Sequence, residues 1–366
     1  MSRFERQVIL PGFGTAAQNR LKKSKILVVG AGGLGAPLLL YLAAAGIGEI
    51  TIIDGDTVSE SNLNRQILYG YPEIGKSKAT STAAYLQQKY PDIGIKAIEA
   101  FITTQNAVSI LSDHDLVIDG TDNFSTRYLL SDGCYLLQKP LVSGSIYKFE
   151  GQVIVLDAQK SQTRPLTYRD LYPRPPAPEE VPNCSEIGVL GVLPGIIGTI
   201  MASEAIKLIS NYAPAIANKV LFYNLLQNSF YETSILENPE ALADAPQTIK
   251  DFEQMNYATL CGLSRTISWH EVLQTITQKT KNILIVDVRN SDELPKPHKI
   301  NYLNIPLTEL ECRKEEVSAA ETIYVFCQAG VRSQKAAQFL ERTYPNKKVF
   351  SIEGGINQLQ STLHVF

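Results

Sequence analysis

The chain has 366 residues, a formal net charge of −3, and 44% hydrophobic and 19% charged residues. At roughly 100–200 residues per domain, that length predicts two domains with ordinary buried cores. The mild acidity argues against a nucleic-acid partner. The start, MSRFERQVIL, is charged and lacks the apolar stretch of a leader, and no run reads as the roughly 20-residue span of a bilayer. No membrane partner and a cytoplasmic location are therefore expected. The five cysteines, Cys134, Cys184, Cys261, Cys312 and Cys327, are odd in number and widely spread. That is a poor disulfide framework and fits a reducing compartment.

KILVVG (25–30) is a short β-branched run ending in glycine, which predicts a buried strand. GAGGLG and PLLLYLAAAGIG follow as turn and helix, then EITIID (49–54) as a second strand. This order is a βαβ unit and implies a parallel sheet. Further on, a helix is expected over 78–89, a strand over 95–102, a short helix over 106–111 and a strand over 115–122. PLVSGSI (140–146) and GQVIVLD (151–157) read as antiparallel additions. From 158 to 183 the chain is rich in proline and lacks periodicity, which reads as a mobile loop. The most apolar stretch, 189–209, is broken by Pro194, glycines and a Glu–Lys pair, and reads as a core helix with its preceding turn. KVLFYN (219–224) is a strand. Periodicity weakens over 237–263. The expected domains are 1–240 and 264–366, joined by a linker over 241–263. The second begins with a helix at SWHEVLQTI, continues through strands NILIVDV and TIYVFC and a helix at SQKAAQFLERT, and closes with strand KVFSI.

GAGGLG supplies Gly30, Gly32 and Gly35 in a G-x-G-x-x-G pattern, and Asp54 ends the next strand. Glycines let the backbone approach a phosphate, the helix N-terminus offers free N–H groups, and the acid suits a ribose hydroxyl. This fixes a Rossmann-like nucleotide-binding half without choosing between NAD and ATP. The residues that follow choose. Arg65 and Lys78 put two cations near the phosphate end, and Asp122, at the end of a strand, can hold magnesium. Displacement at phosphorus needs such a set because charge builds on the phosphoryl oxygens; hydride transfer does not.

FERQ, GAGGLG, IIDGDTVSESNLNRQ, IGKSKA, DGTDN and NCSEIGVLG together resemble the ThiF/MoeB/HesA family, which is related to ubiquitin-activating enzymes. The resemblance runs from about residue 2 to 236. It implies ATP-binding roles for Gly30, Gly32, Gly33, Gly35, Asp54, Asp56, Asn62 and Gln66, phosphate contacts from Arg65 and Lys78, and a magnesium-linked role for Asp122. It matches Arg6 to an arginine that reaches into a partner subunit, implying a homodimer; alone, Arg6 would read as a solvated surface charge. It matches Cys184 to a cysteine that in some relatives bonds the carrier's C-terminus. An acyl-adenylate is electrophilic enough for that, though a bystander cysteine is the plainer alternative. The chain departs from the pattern at a zinc site. Members carry one Cys-x-x-Cys where this chain reads LTYRDLYP and another where it reads NPEALADAP. Thr167 and Asp170 take the first pair's places, no structural zinc is expected, and a looser segment is.

In the second domain, Cys327 and Arg332 bracket CQAGVR between a strand and a helix. Loop N–H groups turned inward make an anion nest, and that nest together with Arg332 is expected to stabilise a thiolate or persulfide. Cys-x4-Arg, with DVR, NIPL and EGGI, resembles rhodanese-type sulfurtransferases; NSDELPKPHKIN (290–301) is an imperfect match to that family's acidic–glycine–histidine segment. A degenerate domain used only for docking is the bland alternative.

The expected architecture is α/β, a mostly parallel Rossmann-like ATP-binding domain followed by a small rhodanese-like α/β domain. The expected activity is ATP- and Mg2+-dependent adenylation of the C-terminal glycine of a ubiquitin-like sulfur carrier ending in Gly-Gly (ThiS- or MoaD-like). Cys327 supplies persulfide sulfur, with a cysteine desulfurase as a candidate donor. Thiamin or molybdopterin biosynthesis, or tRNA thiolation, would be served. A non-catalytic carrier scaffold, a peptide-modifying adenylating enzyme and an NAD-dependent oxidoreductase are the rivals; the last leaves Arg65, Lys78, Asp122 and Cys327 idle.

Overall fold

The computed structural model describes residues 3–157, 164–176, 188–261, 264–277, 282–297 and 300–363. Two compact units divide the chain, Met1–Tyr257 and Ala258–Phe366.

The first unit holds strands β1 (Lys25–Val29), β2 (Glu49–Ile53), β3 (Gly94–Ile98), β4 (Leu116–Asp119), β5 (Leu141–Tyr147), β6 (Glu150–Leu156), β7 (Lys219–Asn224) and β8 (Ser229–Ser234). They form one sheet in the order β3-β2-β1-β4-β5-β6-β7-β8. Pairing is parallel from β3 through β5 and antiparallel from β5 through β8. β5 is thus not an antiparallel addition. The helix Phe124–Leu137 carries the chain back after β4, so β5 starts again from the same end. The tight turn after Tyr147, with Lys148 at φ 54, makes the first antiparallel pairing, that of β5 with β6.

β1 is buried along four of its five residues, as a central strand must be, and the apolar helix Gly35–Ala45 buries most of its length beside it. Helix Val192–Ser210 packs on that helix and on β5 and β6. At 19 residues and mean hydropathy 1.6 it has the length and apolarity of a bilayer span. Its stripe of Leu193, Ile197, Met201 and Ala205 is nevertheless committed to the core. Its Glu204, also buried, accepts from Lys207 Nζ at 2.6 Å and Ile216 N at 2.9 Å.

Two expectations are corrected here. The stretch 241–257 is not a featureless linker. It carries the helix Ile249–Gln254, buries Phe252, and sends the Tyr257 hydroxyl to Asp132 at 2.8 Å. The segment around 167–170 is not loose. Helix Tyr168–Leu171 buries Arg169, which forms a two-armed pair with Asp132 at 2.9 Å on each arm. Asp170 accepts from both Arg164 Nη atoms (3.0 and 2.6 Å), from Thr167 N (2.7 Å) and Oγ1 (3.1 Å), and from Asn238 N (2.9 Å). Arg164 also donates to Asn238 O at 3.1 Å and pairs with Glu237. This clasp ties together the two places where a zinc-binding relative would put its cysteines. The groups present do not fit zinc, because the carboxylate's lone pairs already serve five donors and the remaining side chains are not thiolates.

The second unit is an all-parallel sheet of β9 (Thr266–Ile267), β10 (Ile283–Asp287), β11 (Leu303–Asn304), β12 (Thr322–Phe326) and β13 (Lys348–Ile352), in the order β11-β10-β12-β13-β9. Alternation along β12 feeds two cores. Ile323 and Val325 join Ala336 and Leu340 of helix Val331–Thr343, while Tyr324 and Phe326 join Trp269, Ile356 and Leu359 on the opposite face.

Candidate active sites

Strand order reverses between β1 and β4, the kind of switch point beyond whose carboxyl ends open α/β sheets bind their ligands. The glycine loop leaves β1 there and the DGTD turn leaves β4. The two touch: a Cβ on Gly30 would lie 3.0 Å from Gly120 O. Gly35, opening the helix, sits so close beneath the loop that a Cβ would fall 2.1 Å from Gly30 O. Asp54 closes the loop from the β2 side. Its carboxylate accepts from Ala31 N at 2.7 Å and Asp56 N at 2.8 Å, while burial pushes its carboxyl up. Tyr69, not singled out from sequence, supports the loop from beneath by donating to Ala31 O at 2.8 Å.

The expected ligands gather around this loop. Arg65 lies against Gly33 and donates to Ser61 O and Asn64 Oδ1, both at 3.0 Å. Lys78 is buried and pairs with Asp56 at 2.8 Å. Asn62 accepts from Ser59 N and caps the short turn that presents Arg65. Gln66 is 4% exposed, its amide faces Gly32, and its Oε1 has no hydrogen-bond partner among the described residues. A buried orphan acceptor beside a glycine loop awaits a donor, and the amino or hydroxyl groups of a nucleotide fit it. Asp122 is exposed just past Gly120. One carboxylate beside a phosphate cradle suits Mg2+, which keeps several waters and takes further oxygens from the substrate.

Asp119, overlooked within the DGTDN motif, is fully buried and sets that turn. It accepts from Thr121 N (3.0 Å), Thr121 Oγ1 (2.6 Å) and Ser143 Oγ (2.8 Å), with Arg127 Nε 3.7 Å away. Arg6 does not join the site within its own chain. It is exposed on the helix Glu5–Val8, whose N-cap Phe4 contacts Gly46 and whose Gln7 donates to Ala45 O at the far end of helix Gly35–Ala45. Cys184 lies outside the described residues. Seven positions later, the chain meets the site: a Cβ on Gly191 would fall 2.1 Å from Asn64 O, and Pro194 lies against Gly33.

The second site stands at the carboxyl end of β12. Cys327 is buried, accepts from Gly330 N at 3.1 Å and donates to Ser333 Oγ at 3.6 Å. Ser333 is held by Ser351 at 2.8 Å. Gly330 has φ +100, which aims its N–H at the sulfur. The EGGI segment braces the loop from below, Ile356 N donating to Cys327 O at 2.8 Å and Asn357 N to Gln328 O at 3.2 Å. Arg289 of the DVR motif is buried, paired with Asp287, and reaches Gln328 Oε1 at 3.3 Å. Arg332 donates both Nη atoms to Glu293, at 2.5 and 2.7 Å, and this pairing holds the Glu293 carboxyl down at about 2. Glu293 lies in the segment that matched its family pattern only imperfectly, which hid it from the sequence reading.

Residues 4–243 match the model of the ThiF family. The chain belongs to that family. Residues 268–362 match the rhodanese-like domain. A probable adenylyltransferase/sulfurtransferase MoeZ of Mycobacterium tuberculosis is 37% identical, over 97% of this chain and 92% of its own. The adenylyltransferase and sulfurtransferase MOCS3 of Anopheles gambiae is 35% identical over 99% and 87%. A sulfur carrier protein adenylyltransferase of Thermus thermophilus is 42% identical, over 72% of this chain and 97% of its own. Among solved structures, E. coli MccB with ATP superposes with a TM-score of 0.54 over 65% of this chain and 73% of that one, at 19% identity. The similarity of this ThiF-family chain to the two adenylyltransferase/sulfurtransferase relatives thus runs along nearly its whole length.

Proposed function

We propose that the chain is a sulfur-carrier adenylyltransferase joined to the sulfurtransferase that serves it. The observation that carries this reading is the meeting, at one strand-order reversal, of a glycine loop, Arg65 and the Asp119–Asp122 turn, in a chain that also aims the Gly330 N–H at the buried Cys327 sulfur.

The C-terminal carboxylate of a small carrier ending in Gly-Gly attacks the α-phosphorus of ATP, and pyrophosphate leaves. The glycine loop and helix N-terminus hold phosphate oxygens, Gln66 orients the nucleotide, and Arg65 and Lys78 offset the charge that grows as the bond to pyrophosphate breaks. Lys78 is paired with Asp56, so phosphate binding exchanges one anionic partner for another. Mg2+, held by Asp122, would neutralise the phosphate oxygens. Persulfide sulfur on Cys327 then attacks the activated carbonyl, directly or by way of Cys184. AMP leaves, and a thiol attacking the resulting disulfide frees the thiocarboxylate. Arg6, distant from its own chain's site, acts across a homodimer. A cysteine desulfurase is the proposed donor, the cytoplasm the proposed location, and thiamin or molybdopterin biosynthesis or tRNA thiolation the pathway served.

Pyrophosphate exchange into ATP, with and without a Gly-Gly-ending carrier, tests the first half. Carrier-dependent exchange lost in Asp122→Ala is expected. No exchange with any carrier would favour a scaffold that only binds carriers.

A further inference from the structure

Arg332 stands at the mouth of the Cys327 loop, where a free guanidinium would attract anions. It is not free. Both of its Nη atoms are taken by Glu293, an end-on, two-armed pairing that fixes the guanidinium plane. Glu293 is fixed in turn, accepting from Asn290 N at 2.9 Å. The short turn that carries it is pinned by Arg289 Nη2, which donates to Pro295 O at 3.0 Å. Arg289 is itself neutralised by Asp287, through Nε at 3.0 Å and Nη2 at 2.8 Å. Both arginines of this cluster therefore carry a carboxylate, and the loop is left to bind anions through backbone N–H groups such as that of Gly330.

We infer that Glu293 is a specificity-determining residue: by occupying Arg332 it steers Cys327 toward singly charged persulfide donors and away from dianionic ones. This rests on the sulfur-transfer reading above. The competing reactions balance in the same way. The Cys327 thiolate attacks the terminal sulfur of R–S–S⁻, a new S–S bond forms, the old one breaks, and R–S⁻ leaves. With thiosulfate the thiolate attacks the outer sulfur and sulfite leaves as a dianion. Neither route needs an oxidant or reductant. They differ in the charge brought to the loop mouth, which Arg332 would reward if Glu293 did not hold it.

The test is loading of the full chain with one sulfur atom, followed by intact mass and peptide mapping to Cys327, against concentration of thiosulfate or of 2-hydroxyethyl persulfide, a monoanion. Wild type should reach half-saturation at lower persulfide than thiosulfate. Glu293→Gln keeps the shape and removes the charge. Its half-saturation for thiosulfate should fall about tenfold and for the persulfide about threefold, since a Coulombic gain scales with donor charge, and the thiosulfate gain should fade with added salt. The limiting loading rate should move less than either, and Glu293→Asp should restore the wild-type preference. Unchanged selectivity in Glu293→Gln, or equal loss with both donors, would overturn the inference while leaving sulfur transfer standing. Loading from neither donor in wild type would overturn both.

Discussion

The chain builds two anion cradles by the same local recipe and tunes them differently. Each places a tight loop after a buried parallel strand and before a helix, and each sets an arginine beside it. The ATP cradle is closed by Asp54 holding the loop backbone, with Lys78 paired to the exposed Asp56. The Cys327 cradle has its cation occupied by Glu293, which is itself pinned by a backbone N–H. Asp56 is the exposed partner of a buried lysine, so a strongly charged substrate can take its place on Lys78 while the released carboxylate is received by solvent. Glu293 is a fixed partner. The first cradle is therefore set for a polyanion and the second for a less charged donor.

The sharpest way to break this comparison is to disable one cradle and read the other. Asp122→Ala should lower carrier-dependent pyrophosphate exchange about 100-fold or more while Cys327 loading persists. Cys327→Ser should do the reverse, and loss of exchange in Cys327→Ser would mean the cradles are not independent.

The glycines test how each loop is made. Gly35→Ala forces a Cβ to 2.1 Å from Gly30 O, a backbone clash that should cost about 3 kcal/mol, read as a lower thermal midpoint and weaker ATP binding. Gly330→Ala has room, its nearest neighbour being Gly354 N at 3.6 Å, and is penalised only for φ +100, by about 1 kcal/mol. Equal losses would show that crowding is not what separates the loops.

Support around the first cradle can be probed at the clasp. Asp170→Ala leaves Arg164 with only Glu237 and Asn238 O, takes the acceptor from the Thr167 and Asn238 N–H groups, and should lower stability by about 3 kcal/mol in denaturant unfolding, while a chelator should leave the wild-type midpoint unmoved. Arg164 and backbone N–H groups hold the Asp170 carboxyl below its ordinary value of 3.8. Its folded-state value is depressed, so its stabilisation is complete above the ordinary value and lost as pH falls below it. Asp170→Asn should blunt that acid sensitivity. The smallest effect is at Glu293. Its carboxyl is held at about 2 against 4.5, so the pair with Arg332 persists from neutral pH through pH 4.5 and is lost only as pH falls toward 2. Donor selectivity should accordingly be flat between pH 8 and 5, and a step in that range would show another group controlling Arg332.

Much of the first cradle was legible because its parts are local. GAGGLG must follow a strand and open a helix, and Asp54 must end the next strand, so order along the chain fixes position in space. Helix Lys78–Lys89 runs where its periodicity put it. What escaped was non-local. Tyr69 reaches Ala31 from 38 residues away and Ser143 reaches Asp119 from 24. The weak periodicity of 237–263 hid a helix because its anchors, Phe252 and Tyr257, are single residues whose partners lie far upstream. β5 was misread for a related reason: strand direction depends on how the preceding helix returns the chain, and the strand's own residues do not encode it.

From the sequence alone came the two-domain α/β plan, the glycine loop with its acid and cations, and the Cys-x4-Arg loop, because each follows from short-range pattern and backbone geometry. Tertiary structure alone decided that Asp170, Arg164 and Asn238 form a clasp, that Lys78 and Arg332 are both paired, and that Glu293 is the partner of Arg332. Hydrogen bonds and charge pairs act over a few ångströms of space, and residues 39 positions apart, as Glu293 and Arg332 are, come within that distance only once the sheet has aligned the ends of its strands.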